Sequence, residues 1–380
     1  MSFTSALKEI RPTQSIDELI AAYERVTTFD YGSLVEHGQN ILDDLGYSIP
    51  TDGRQKIADR INSNEKINRI INAQKWSEKK KREVLEKLPT MIAPYDVYRL
   101  VRGDSEQDRN THTWDVYDEF KNIVDEEYKA AGAKVIRAVW AMRNRSPVSE
   151  EESKAMAAQL ETSPNIKARL SRQKDGDYKR KDGYDRLQFD LARFYQLIAY
   201  QGESMKLDYT SPRANYSNTY RTINVGAQLT QTTLWHELAH SIEYDYPEIL
   251  EMTKAFLKKR LEESKGIRSL PDIYQDIHDR PLPKRKNGYS DDELAIDDGA
   301  FSPYVTKFYV NHGQNKLDID SAVATEVISM GIESLNSVYG LGRMVVNDPE
   351  HFKFILTVIE KLHELESNRR KYNKVMGNKE

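Results

Sequence analysis

The sequence predicts an α+β fold that is mostly helical, with a small sheet next to one short helix that carries the chain's most informative motif. Three observations support this. Apolar residues recur at helical spacing through most of the 380 residues, as in Leu34 to Leu45, Trp114 to Met142 and Pro349 to Arg370. Charged residues make up 31% of the chain, and its mean hydropathy is −0.73, which suits polar helices around a modest core. Only between Lys206 and Val225 does the texture turn to β-formers, with Tyr209, Tyr216, Tyr220, Thr222, Ile223 and Val225 among turn residues such as Pro212 and Asn215.

Taken in order, Ser15 caps a helix over Ile16 to Val26, where Ile16, Leu19, Ile20 and Tyr23 share a face. Helices follow over Leu34 to Leu45, Ile57 to Ile71 and Ser77 to Leu88. The last is dominated by Lys79, Lys80, Lys81, Arg82 and Lys87 and reads as a solvated face, because a nucleic-acid groove would interleave aromatic residues. Trp114 to Met142 forms one or two helices. The run Asn144 to Ser149, with Pro147, breaks the pattern and separates a helical N-terminal region, 1–145, from a second region, 146–380.

Lys167 to Arg186 is polar enough for an exposed loop or hairpin, and its interspersed Asp175, Asp177, Asp182 and Asp185 argue against a nucleic-acid surface. Tyr184 to Tyr200 is an amphipathic helix with Leu187, Leu191, Phe194, Tyr195 and Ile198 on one face. A hairpin or two short strands then run to Gly226. A helix spans Gln231 to Tyr244, Pro247 breaks it, and another continues to Glu263. The proline-bearing stretch Gly266 to Ser290 reads as a long loop, Tyr304 to Val310 as one strand, and Ala322 to Val338 as one long helix.

Composition excludes several classes of function. Lys plus Arg total 56 against 60 for Asp plus Glu, a net charge of −4 that lacks the cationic surface of a non-specific nucleic-acid binder. There is no apolar run of the roughly 18 residues that a membrane span requires. The first dozen residues lack the apolar core of a secretory signal, and cysteine is absent, so a cytoplasmic location is expected. The lack of cysteine also removes thiol nucleophiles and Cys-ligated metals. No Gly-rich phosphate loop and no Gly-x-Ser-x-Gly elbow occur.

Residues 235–240 read Trp-His-Glu-Leu-Ala-His. His236 and His240 lie one helical turn apart, so both imidazoles project toward a common point where they can grip one Zn²⁺. Glu237 is placed to take a proton from a water at that ion, which is the division of labour in a metal hydrolase. A random arrangement of this composition yields His-Glu-x-x-His only about 0.014 times per chain. A third His ten residues after the first is ruled out because Tyr246 stands there, and Glu243 replaces the usual Gly, so the chain is no metzincin. The third ligand is expected at Glu326, on the inward side of the Ala322 to Val338 helix with Val323, Val327 and Met330, where Gly331 lets another backbone approach. Asp245, His278, Glu293, Asp297 and His312 are competitors. Glu243 is a candidate acceptor for the outer N–H of a liganding imidazole. Tyr304, Lys307, Tyr309 and His312 are candidates to stabilise an oxyanion. The strand Thr222 to Val225 is a candidate edge for an extended peptide.

These residues together resemble the gluzincin branch of zincin-like metallopeptidases. More narrowly, His236 to Glu243, Asp298 to Tyr309 and Ala324 to Glu333 are similar to a zincin-like domain of tailed-phage and prophage head-morphogenesis proteins. The resemblance spans residues 200–340 at most. It implies a small sheet plus an active-site helix, His236, His240 and Glu326 as zinc ligands, and Glu237 as the base of a peptidase acting on a protein or peptide. The alternative it leaves is a phage or prophage structural protein with a structural or vestigial zinc, acting through a virion or host-protein partner.

Overall fold

The computed structural model describes residues 29–91, 97, 100, 101, 112–170, 177, 178, 183–199, 205–209, 213–226, 229–278, 292–298, 302–311 and 313–377. The expected helix over Ile16 to Val26 lies outside them. The described chain is mostly helical with small sheets, and none of its helices is long and apolar enough to cross a membrane.

The N-terminal part supplies α1 (Tyr31–Leu45), α2 (Gly53–Asn62), α3 (Glu65–Ala73) and α4 (Glu78–Lys87). The continuous helix expected over Ile57 to Ile71 is two helices. Asn64 sits between them in extended conformation, and its side chain caps α3 by accepting from the Ile67 N–H at 2.8 Å. Helix α5 (His112–Asn144) is a single helix of 33 residues. It is followed by α6 (Glu150–Gln159), whose start is set by a reciprocal capping box between Ser149 and Glu152. A two-residue strand β1 (Glu161–Thr162) and α7 (Pro164–Leu170) come next, so Lys167 to Leu170 is helical rather than loop. Helix α8 (Gly183–Ile198) buries the apolar face expected of it.

Where a hairpin or two strands were expected there are three: β2 (Lys206–Asp208), β3 (Asn215–Ser217) and β4 (Thr222–Asn224). With β1 they form a sheet of order β1-β2-β4-β3, parallel except for the antiparallel outer strand β3. The expected peptide edge over Thr222 to Val225 is therefore corrected: β4 is internal, and β1 and β3 are the outer strands.

Helices α9 (Gln231–Asp245) and α10 (Pro247–Glu262) follow, then β5 (Ile267–Ser269), α11 (Leu270–His278) and β6 (Leu294–Ile296). The first half of the expected long loop is thus a strand and a helix, anchored by buried Leu270 and Ile273 and by pairing of β5 with β6. The expected strand over Tyr304 to Val310 begins as a 3-10 turn, Pro303–Thr306, and only then becomes β7 (Phe308–Val310). Ala322 to Val338 departs most from expectation. It opens as β8 (Ala322–Thr325), antiparallel to β7, and continues as α12 (Val327–Ser334) and α13 (Val338–Asn347). Val323 is accordingly 40% exposed instead of packed inward, while Val327 and Met330 are buried. Helix α14 (Pro349–Gly377) closes the chain.

One core cluster runs from Leu34 and Ile41 through Val135, Leu191, Phe194, Trp235 and Ile242 to Ile355 and Ile359, so residues on both sides of position 145 share it. A second cluster joins Ile57, Ile71, Val84, Phe120 and Val124 to Val346 of α13. Helices α5 and α13 cross at backbone contact: a Cβ on Gly132 would stand 1.9 Å from the Val338 carbonyl oxygen, and one on Gly342 would stand 1.7 Å from that of Tyr128. Only glycine permits that approach. It presses α13 against the long helix.

Candidate metal centre

Helix α9 starts where Thr230, in extended conformation, accepts from the Thr233 N–H at 3.1 Å. Its inner face buries Leu234, Trp235, Leu238, Ala239 and Ile242. Trp235 meets the Phe194 ring edge-on at 5.7 Å and donates its indole N–H to the Asp190 carbonyl at 3.3 Å. Truncating such an anchor to alanine costs about 3–5 kcal/mol. With that face fixed, His236 and His240 project one turn apart from the other side, half-buried, with ring centroids 4.9 Å apart.

Glu326 comes from the junction of β8 and α12. It occupies the N-cap position of α12 but makes no side-chain cap bond. Its carboxylate turns instead to the histidines: Oε2 lies 3.2 Å from His236 Nε2 and 3.4 Å from His240 Nε2, and the two Nε2 atoms are 3.2 Å apart. Donors about 2.0–2.1 Å from a tetrahedral zinc lie roughly 3.3–3.4 Å from one another. The three atoms therefore match the base of such a coordination sphere. Among the described residues, this is the one group of His, Asp and Glu side chains that converges in this way.

The surroundings hold the three donors. His236 Nδ1 is 2.9 Å from Glu333 Oε2, the carboxylate–imidazole pairing that fixes a ligand's tautomer and ring orientation. Glu326 is fully buried. It accepts from the Tyr309 hydroxyl at Oε1 (2.5 Å) and from the Ser329 hydroxyl at Oε2 (2.7 Å). Tyr309 rests on Lys307, whose ammonium lies 4.5 Å from its ring centroid and 4.8 Å from that of Tyr304. The ammonium itself is 2.6 Å from Glu293 Oε1. The Tyr304 ring stands 6.4 Å from that of His236.

Electrostatics follow from this packing. Burial alone lowers the pKa of His236, but the carboxylates of Glu326 and Glu333 outweigh it and push the imidazole up to about 10. Burial works to raise Glu326, yet the two imidazoles hold its carboxyl well below the usual range. Glu237 is buried, and the loss of water raises its pKa, with His236 and His240 pulling the other way.

Not every expected residue falls at the centre. Glu243 does not meet an imidazole N–H. Its carboxylate is buried and accepts from the backbone N–H and hydroxyl of Thr325, at 2.6 and 2.5 Å. Burial raises that carboxyl to about 6 against those bonds. Asp245 makes a two-pronged pair with Arg221 at 2.6 and 2.8 Å, and Asp297 pairs with Arg268 at 2.7 Å. Glu293 is taken by Lys307. His312 and the side chain of His278 lie outside the described residues. Gly331 admits the side chains of Ile355 and His351 rather than another backbone.

Glu333 and Ser329 had no assigned part in the sequence, although a signal for Glu333 existed. It stands seven residues, almost two full helical turns, after Glu326, so both carboxylates face the same way. No family model matches the chain, and no curated protein or solved structure gives a match.

Proposed function

We propose that this chain is a zinc-dependent hydrolase, a metallopeptidase of gluzincin type. The observation that carries this is the triangle of His236 Nε2, His240 Nε2 and Glu326 Oε2, with sides of 3.2 to 3.4 Å, beside a buried carboxylate at Glu237. No fourth His, Asp or Glu joins the group among the described residues, which favours a catalytic over a closed structural site. The donor set, two imidazoles and a carboxylate, suits zinc, which when bound lowers the pKa of water and polarises a carbonyl.

The remaining chemistry belongs to the chain. Glu237, one residue from the first ligand and buried, takes the proton of the attacking water and returns it to the leaving amine. Tyr304, whose ring stands 6.4 Å from that of His236, is the candidate donor to the developing oxyanion. An extended peptide adds along β3, one of the two outer strands of the four-stranded sheet.

The test is cleavage of a proteome-derived peptide library, read by mass spectrometry, with the zinc-loaded protein. Wild type should cut, and Glu237→Gln should keep its zinc while losing about 10²–10⁴-fold in turnover. Zinc-loaded wild type that leaves every peptide intact, or Glu237→Gln cutting at the wild-type rate, contradicts the proposal.

A further inference from the structure

The three donors come from two elements, so the triangle closes only when the β8–α12 junction stands at a set distance from α9. Apart from its approach to the two histidines, the contacts of Glu326 do not set that distance. Its N–H donates to the Lys307 carbonyl at 2.9 Å, and its carboxylate is held by Tyr309 and Ser329, all on the β7–β8–α12 side.

Besides the Glu333–His236 pair, a second tie to α9 is Glu243, three residues after His240 and 2% exposed. Both of its oxygens go to Thr325, the residue before Glu326: Oε2 accepts from the N–H at 2.6 Å and Oε1 from the hydroxyl at 2.5 Å. That hydroxyl in turn accepts from the N–H of Val327, the residue after Glu326, at 3.2 Å. Both neighbours of the third donor therefore belong to one buried network that ends on the helix carrying the other two. A carboxylate this deeply buried is costly to desolvate and is retained only where its partners offset that cost.

We infer that Glu243 is a positioning residue for the metal: through Thr325 it sets the place of Glu326 relative to His236 and His240, so that metal affinity depends on it more than folding does. This rests on the metal site proposed above. Ligand geometry must be held within about 0.5 Å for tight binding, and loss of such a supporting contact typically weakens affinity by about 10–100-fold.

The experiment is competition for Zn²⁺ against a chelating dye, with thermal melting of each EDTA-treated protein alongside. The variants are Glu243→Gln, Glu243→Leu and Thr325→Val. Glutamine can still accept from the Thr325 N–H and donate to its hydroxyl, so Glu243→Gln should stay within about threefold of wild type. Glu243→Leu should lose about 10–100-fold, and Thr325→Val about tenfold, each with a metal-free melt lowered only by the few degrees that an unpaired buried polar group costs. Should Glu243→Leu fail to fold, Thr325→Val and Glu243→Gln still decide the matter. Equal zinc affinity in Thr325→Val and wild type overturns the inference, as does a loss in Glu243→Gln equal to that in Thr325→Val. So does a fall in melting temperature without a change in affinity. Wild type that takes up no zinc removes the metal site and the inference together; wild type that binds while all variants bind alike removes only the inference.

Discussion

Helix α9 and the β8–α12 junction each bring candidate metal donors to the same point, by different physical means. On α9 the periodicity of one helix suffices: a cap at Thr230, an apolar face under Trp235 and Ile242, and two histidines four residues apart. At the junction no local rule places Glu326. Its direction depends on Tyr309 and Ser329, and its distance from α9 on the Glu243–Thr325 bonds. A pair of convergent donors can be built by secondary structure alone, whereas the donor that completes the triangle is placed by tertiary hydrogen bonds.

That contrast can be broken at several points. The largest effect is expected at Glu333, the carboxylate that orients His236. Glu333→Ala should weaken zinc about 10–100-fold in dye competition, because the ring loses its outer partner. Affinity unchanged by that substitution would show that the helix holds His236 unaided.

Next is the pH dependence. In the metal-free protein, Glu326 and Glu333 outweigh burial and push His236 up to about 10, so the ring carries its proton at neutral pH. Metal must displace that proton. The sign follows: affinity rises with pH, by about tenfold per unit for each proton released. Titrations at pH 6, 7 and 8 should show this, and a flat or falling profile would contradict it.

The smallest effect is expected at Tyr309. Tyr309→Phe removes one hydrogen bond to Glu326, a loss of about 0.5–1.5 kcal/mol, or roughly 2- to 12-fold in zinc affinity. No change at all would leave Ser329 as the sole director of that carboxylate.

The same contrast explains what was legible in the sequence. Long amphipathic helices announced themselves, so α1, α8, α9 and α14 begin and end near their expected positions. The convergence of His236 and His240 was readable because it is written in one helical turn. Strands of two to four residues carry too little periodicity to be seen. β1 exists because Glu161 and Thr162 pair with Lys206 and Leu207, and β8 because Phe308 pairs with Thr325. Mistaking β8 for helix placed Val323 inward and left Glu243 without its true partner. That Glu326 lies beside the histidines was nevertheless legible, because a carboxylate among Val327, Ile328 and Met330 needs a counter-charge whatever backbone carries it.

The central claim is that His236, His240 and Glu326 hold one metal ion, and its most direct test is zinc content by mass spectrometry. Wild type, His236→Ala and Glu326→Ala should be purified side by side under identical conditions. About one zinc per chain in wild type, and none in either variant, is the result predicted for a three-donor site. Zinc-free wild type, or zinc retained at full stoichiometry in Glu326→Ala, would contradict it.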